Sequence, residues 1–385
     1  MSYTVGNLPN TRMLCILTTL LGNKSTAQRL VGALNRIPKL DVTYVTLNPE
    51  DYTRYSVPRW ARATNPWHVQ HIARQKVQPF LHQPFDLLLV YSWEFVTAFR
   101  ELGLRMPAAA LMDSVPSTIN RQLRRRGLGG WKRSISHRLH QGSFRRAARD
   151  FEAFLPMGSD CADSLVQDYG ISRDSIFITL APQDLDAWTP SGRVYSPPMR
   201  LLFVTNDFAR KGGDFLLRLY SAHLTNHCRL TIASNDASLE SRRLPPGVVW
   251  LHGRSRDELL QVYQQSDLFL FPTEQDYMPQ VLAEALATGL PCMANDVGGI
   301  RDLVRDGETG FLMSPSDPLE LWASRIEGLV GDPSELSRLS ANGRRFAEQN
   351  LSLARFDELI ASVITRLRQA EVTGRSQPHH RRGLV

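Results

Sequence analysis

A chain of 385 residues that is 42% apolar and 22% charged has the length and composition of an ordinary globular protein of two domains. It holds no apolar run of 18 residues, which argues against a membrane-spanning helix. Its four cysteines (Cys15, Cys161, Cys228, Cys292) form no Cys-x-x-Cys pair, which favours buried free thiols in a reducing cytosol over a disulfide frame or a zinc site.

The net charge of +7 is unevenly placed. Residues 1–190 carry 23 basic and 15 acidic side chains, a balance of +8, and residues 191–385 carry 22 and 23, a balance of −1. Residues 1–11 are polar. Residues 13–21, 40–47, 85–91 and 108–112 read as buried strands, and 26–34 and 95–102 as helices. The first strand, the turn Gly22-Asn-Lys-Ser25 and the helix after it follow a Rossmann unit, so we prefer a strand to a weak signal-peptide core for residues 13–21. The turn lacks the glycine spacing of a Walker loop. Strands alternating with helices, without hairpin signals, predict a doubly wound parallel sheet. Asp113 follows the strand 108–112 at its carboxyl end, where it can cap the next helix.

Residues 114–149 contain ten Lys or Arg and no acid. Apolar residues at 128, 131, 135 and 139 repeat at helical spacing with basic residues between them. One reading of residues 121–149 is an amphipathic helix on an anionic bilayer; the other is a solvated helix packed on its own domain. Nucleic acid is not expected as a partner, since no recognised module is present. Residues 191–199, rich in Pro, Ser and Gly, read as a linker.

The second half opens with a strand at 200–205, then Asn206-Asp-Phe-Ala-Arg-Lys-Gly-Gly213 and a helix from Asp214. Strand, loop and helix start make an anion cradle, to which Arg210 and Lys211 add two fixed positive charges. Further on come a strand at 268–271, an acidic loop at 273–278, a helix entered at Pro279 and ended by Gly289, and a strand at 291–294: a βαβ unit. Glu284 sits among Val281, Leu282, Ala283, Ala285 and Leu286. A carboxylate in so apolar a helix requires a hydrogen-bonding partner, which a ligand hydroxyl can be.

The spacing Asp276-(seven residues)-Glu284, followed by Asp296-Val-Gly-Gly-Ile-Arg-Asp-Leu-Val-Arg-Asp-Gly-Glu-Thr-Gly-Phe-Leu312, resembles the E-x7-E donor site of retaining glycosyltransferases of family 4 (glycosyl transferases group 1). Asp276 stands where that family usually has Glu, and Tyr277-Met-Pro replaces its frequent Gly-Phe-Gly. The resemblance spans residues 12–368 and is sharpest from 200 to 312. It implies an α/β protein of GT-B architecture, two Rossmann-like doubly wound parallel-sheet domains facing a cleft. The acceptor-side domain would cover residues 1–187, a hinge linker 188–199 and a nucleotide-sugar domain 200–350. A C-terminal helix at 351–369 would cross back to the first domain, and a disordered basic tail would fill 370–385.

The resemblance also implies roles. Lys211 would be the diphosphate-binding lysine; Arg210 would compensate for Asn206, which stands where relatives carry an arginine. The N–H groups of Gln280 and Val281 would hold the diphosphate beside Met278. Glu284 would accept from the ribose hydroxyls and Asp276 from those of the transferred sugar. Gly253 would let the base approach the backbone, and Arg254 would touch base or phosphate or else remain on the surface. Gly22 falls at the family's glycine-rich first loop. Asp113 would accept from an acceptor hydroxyl, with helix capping as its alternative.

The expected reaction transfers a sugar from a nucleoside-diphosphate-sugar donor to a glycan, lipid-linked or small-molecule acceptor, with retention and with neither metal nor other cofactor. It would serve polysaccharide, lipid-linked glycan or glycoconjugate synthesis in the cytoplasm or on the inner membrane face. The rival is a non-catalytic GT-B protein that binds nucleotide sugar or acts as a scaffold.

Overall fold

The computed structural model describes residues 10–19, 23–51, 66–100, 106–127 and 131–372. They divide into two compact units, one of residues up to Thr179 together with those from Phe356, the other Leu180–Arg355. The first unit holds β1 (Thr11–Thr18), α1 (Lys24–Asn35), β2 (Leu40–Leu47), α2 (Pro66–Val77), β3 (Leu87–Tyr91) and α3 (Trp93–Arg100). After these come β4 (Ala108–Met112), α4 (Pro116–Arg125), α5 (Trp131–Ala147), β5 (Ala153–Pro156) and α6 (Ser159–Tyr169).

Its five strands pair in parallel in the order β2-β1-β3-β4-β5. Every residue of β3 and β4 is buried, as expected of strands covered on both faces. Ile16, Val90, Ala110 and Phe154 of the sheet join Ile72 of α2, Phe95 and Phe99 of α3 and Phe144 of α5 in one core. The sequence reading had no helix at 66–77, and α2 supplies part of that core.

The second unit runs β6 (Met199–Val204), α7 (Gly213–Leu219), β7 (Cys228–Ala233), β8 (Val248–Leu251), α8 (Arg256–Gln264), β9 (Leu268–Phe271), α9 (Gln280–Ala287), β10 (Cys292–Asn295), α10 (Ile300–Leu303), β11 (Gly310–Met313), α11 (Leu319–Val330) and α12 (Pro333–Asn350). Its parallel sheet has the order β11-β10-β9-β6-β7-β8, the doubly wound order of dinucleotide-binding folds. Helix starts follow the local chemistry: Ser255 and Glu258 cap α8 reciprocally and Asp332 caps α12. Pro279 is the N-cap of α9 rather than a residue of its first turn, and Gly289 takes the expected left-handed conformation just past its end.

A last helix, α13 (Leu353–Val372), belongs to the first unit from Phe356 onward. There Arg36 grips Asp357 with two hydrogen bonds of 2.7 Å, and Arg368 donates to Thr11 at 3.0 Å. The four cysteines are free and buried. Among the described residues, no helix is long and apolar enough to cross a membrane.

The stretch read as a hinge is tied into the second unit, and the division between the units falls at Thr179 and Leu180. Arg193 donates to four carbonyls, those of Tyr263 (3.0 Å), Ser266 (2.9 Å), Thr288 (2.8 Å) and Gly289 (2.6 Å). These lie at or just past the C-terminal ends of α8 and α9, where carbonyls lack helical partners and a cation is favoured. Tyr195 and Ser191 add bonds to Leu336 and Gln264 carbonyls. Arg193→Ala is therefore expected to cost roughly 2–4 kcal/mol and lower the melting temperature by roughly 5–10 °C. Arg193→Lys should recover little, because one ammonium cannot span four carbonyls; thermal melts of both variants check this.

Candidate functional site

The second sheet reverses its strand order between β6 and β9, and the carboxyl edge at such a switch point is the usual ligand site of open α/β sheets. The loop after β6 brings in Asp207, Arg210 and Lys211; the loop after β9 brings in Thr273 to Tyr277. Gly212 lets them meet. Its φ of +88° is left-handed, and a Cβ there would stand 2.4 Å from the Pro272 carbonyl oxygen.

Lys211 pairs with Asp276, each side chain only 14% exposed, and the ammonium lies 5.6 Å from the centre of the Phe271 ring. Burial lowers the pKa of Lys211, and the charge of Asp276 opposes that shift. The Gln275 carbonyl accepts from Lys211 at 3.4 Å and from Arg210 at 3.5 Å. Arg210 also binds Asp207 at 2.5 Å on a more open side. The other oxygen of Asp276 accepts from the Tyr277 backbone N–H at 2.8 Å.

Glu284 projects from α9 toward α8, where the Tyr263 phenol donates to it at 3.0 Å and reaches the Val281 carbonyl at 3.3 Å. Burial, with the charge of Glu284 added, pushes the Tyr263 pKa far up, so the phenol stays a donor. Gln280 accepts from the buried Gln183 at 3.1 Å, and Met278 is buried beside Gly299.

Asn206 is joined to the Asn235 N–H at 3.4 Å, and the Asn235 side chain takes the Gly253 N–H at 2.9 Å, so three loops are stitched along one sheet edge. Space beside the Gly253 Cα is open, as a close approach there requires. Arg254, an exposed residue, binds Glu258 at 3.0 Å. Among the described residues, no group of three or more His, Cys, Asp or Glu could hold a metal ion.

Two candidates lie in the first unit. Gly22 falls outside the described residues. Asp113 does not cap a helix: the N-cap of α4 is Val115, and Asp113 accepts from Ser114 at 2.9 Å. Close by is a carboxyl that the sequence reading passed over. Glu94, half-buried in the first turn of α3, accepts from Ser92, whose φ of +143° is strained for a residue with a side chain. The signal was available, since Glu94 sits among Trp93, Phe95 and Val96 much as Glu284 sits in α9.

Burial pushes the Glu94 pKa up to about 7, Asp113 adding to the rise. The folded state therefore holds this proton more tightly than the unfolded chain, and its contribution to stability is lost as pH rises through 7. Wild-type protein is expected to melt progressively below Glu94→Gln as pH rises from 5 to 8, with the two curves converging under acid conditions; paired melts across that range read this out.

Residues 198–332 match the family model described as Glycosyl transferases group 1. The chain is 30% identical over 211 residues to D-inositol 3-phosphate glycosyltransferase of Rhodococcus jostii (strain RHA1), covering 49% of this chain and 46% of that one. It thus spans about half the length of the curated relatives it matches. The structure superposes on sucrose-phosphate synthase from Thermosynechococcus elongatus with a TM-score of 0.76, covering 94% of this chain and 100% of that one at 14% identity. It also superposes on Anabaena Alr3699/HepE in complex with UDP-glucose with a TM-score of 0.65, covering 92% and 100% at 14% identity. Its two parallel-sheet units have the GT-B glycosyltransferase fold, and the second of them carries the match to glycosyl transferases group 1.

Proposed function

We propose that the chain is a glycosyltransferase that moves a sugar, with retention, from a nucleoside-diphosphate sugar to an acceptor hydroxyl. The observation that carries the reading is the Lys211–Asp276 pair in the switch-point crevice, with Arg210 beside it. Relatives named as glycosyltransferases and a neighbour in complex with UDP-glucose support it. In the reaction, the bond from the anomeric carbon to the diphosphate breaks, and a bond to the acceptor oxygen forms on the same face. The acceptor's proton leaves on an oxygen of the departing diphosphate.

Lys211 and Arg210 offset the charge that develops on the leaving group, the main catalytic contribution, and the reading assigns neither metal nor other cofactor. Glu284, its orientation set by Tyr263, accepts from the ribose hydroxyls. Asp276 accepts from hydroxyls of the transferred sugar once the diphosphate has taken over Lys211. The acceptor is a glycan, a lipid-linked molecule or a small molecule in the cytoplasm.

Thermal-shift screening against UDP, GDP, ADP and their sugars tests the reading. A ligand at about 100 times its Kd should add about 2.7 kcal/mol of stability. Lys211→Ala and Glu284→Ala should abolish that shift, and Lys211→Ala should lower kcat/KM by at least about tenfold. Asp276→Glu should also lower kcat/KM, by roughly tenfold, because an added methylene moves the carboxylate off the Tyr277 N–H. A chain that responds to no nucleotide would favour the scaffold reading.

We also propose a bilayer contact for part of the basic stretch. Leu128 and the side chains of Trp131 and Ile135 lie outside the described residues. Leu139 is 56% exposed between the exposed Arg138 and the buried His140, and α5 packs inward through His140, Phe144 and Ala147. We read Leu139 with Arg124, Arg125 and Arg138 as contacts to an anionic bilayer on its cytoplasmic face. Flotation with phosphatidylserine vesicles should carry the wild type and lose Leu139→Ser with Arg138→Ser; no flotation of the wild type refutes it.

A further inference from the structure

The loop that carries Asp276 is held at both ends by the segment that ends β10. At its start, the Asn295 side-chain amide donates to the Thr273 carbonyl at 3.2 Å. The Thr273 hydroxyl then closes a turn, donating to the Gln275 carbonyl at 3.0 Å and accepting the Gln275 N–H at 3.3 Å. That same Gln275 carbonyl receives Lys211 and Arg210. At the loop's far end, the Gly299 N–H donates to the Tyr277 carbonyl at 2.8 Å, so close that a Cβ on Gly299 would stand 2.4 Å from it. Asp276 lies between the two ties.

Asn295 is 5% exposed, and its side-chain oxygen has no hydrogen-bond partner among the described residues. A buried, unpaired acceptor is a cost that packing does not explain, since an apolar side chain of similar size would fill the same space without it. What the amide supplies, and an apolar group cannot, is its N–H for the Thr273 carbonyl.

We propose that Asn295, acting through Thr273, is a positioning residue for the sugar-facing acid: it fixes the height of the 273–277 loop and so the place of the Asp276 carboxylate. The inference rests on the reading of Asp276 as the group that meets the transferred sugar. Neither residue touches the expected diphosphate site itself. Thr273 also sets the Gln275 carbonyl that receives Lys211 and Arg210, so loosening the loop costs recognition of the sugar most and recognition of the nucleoside diphosphate less.

The test compares Kd for UDP and for UDP-glucose, or for the nucleotide pair that thermal screening selects, in the wild type, Asn295→Leu, Thr273→Val and Thr273→Ser. The expected result is that Asn295→Leu and Thr273→Val lose about tenfold of the affinity that the sugar adds and at least about tenfold in kcat, with a clearly smaller loss, about threefold or less, in Kd for the bare diphosphate. Thr273→Ser, which keeps the hydroxyl, retains the sugar's contribution. Parallel weakening of both ligands marks a merely structural role and overturns the proposal. So does survival of the sugar's contribution in Asn295→Leu and Thr273→Val. Should Asn295→Leu fail to fold, the Thr273→Val and Thr273→Ser pair decides alone. A wild type that binds neither ligand sinks the glycosyltransferase reading first, and this inference with it.

Discussion

An ammonium taken out of water must find a counter-charge, and the crevice of the second unit is built around that need. Lys211 is mostly buried, and its desolvation costs several kcal/mol that Asp276 and the Gln275 carbonyl offset. The rest of the loop geometry follows. Gly212 is left-handed because nothing larger fits against Pro272, and Phe271 presents its ring to the ammonium. The pair is also exchangeable. In the proposed reaction a diphosphate oxygen takes the place of the carboxylate at Lys211, and the freed carboxylate turns to the sugar. One ion pair would thus couple the arrival of the leaving group to the readiness of the acid.

Much of this was legible in the sequence because parallel strands buried on both faces leave unbroken apolar runs. The strands read at 40–47, 108–112 and 268–271 coincide with β2, β4 and β9. Lys211 and Asp276 were legible as charged residues in loops after such strands, and their meeting follows from the strand order. What escaped was contact between elements distant in sequence. Nothing in the α9 sequence says that Tyr263, 21 residues earlier, would hold Glu284. Nothing in residues 291–295 marks Asn295 as the partner of a carbonyl 22 residues earlier. The helix at 66–77 was missed because its polar residues and modest periodicity gave it no clear apolar stripe. Pro279 was placed one position too far into its helix, since the N-cap and the first turn both tolerate proline.

A count of charged residues does not show what an arginine does. Arg193 spends its guanidinium on four carbonyls, and Arg344 reaches the Trp188 and Ala287 carbonyls at 2.9 and 2.7 Å. Both cap the C-terminal end of α9, which a planar fork of donors suits better than an ammonium does. In the basic stretch, Arg121 is held by Asp160 and Asp168, and Arg145 by the Asp168 carbonyl. A count of arginines therefore overstates the field offered to an anionic partner. The segment at 191–199 read as a linker from its Pro, Ser and Gly content, and composition does not show that Arg193 within it bonds four carbonyls of the second unit.

The shorter acid at 276 is more than a truncated glutamate. An aspartate can accept the N–H of the residue that follows it in the chain, because its carboxylate lies one bond closer to the backbone, and Asp276 does so with Tyr277. With Lys211 on its second oxygen, both oxygens are held before any ligand arrives. A glutamate would gain about 1.5 Å of reach and lose the backbone bond that fixes the plane of the carboxylate. Reach is then a matter for the loop, which must bring the acid to the sugar. A loop pinned at Thr273 by Asn295 and at Tyr277 by Gly299 has that position set from β10. The short acid and the braced loop are two parts of one solution, and each makes sense of the other.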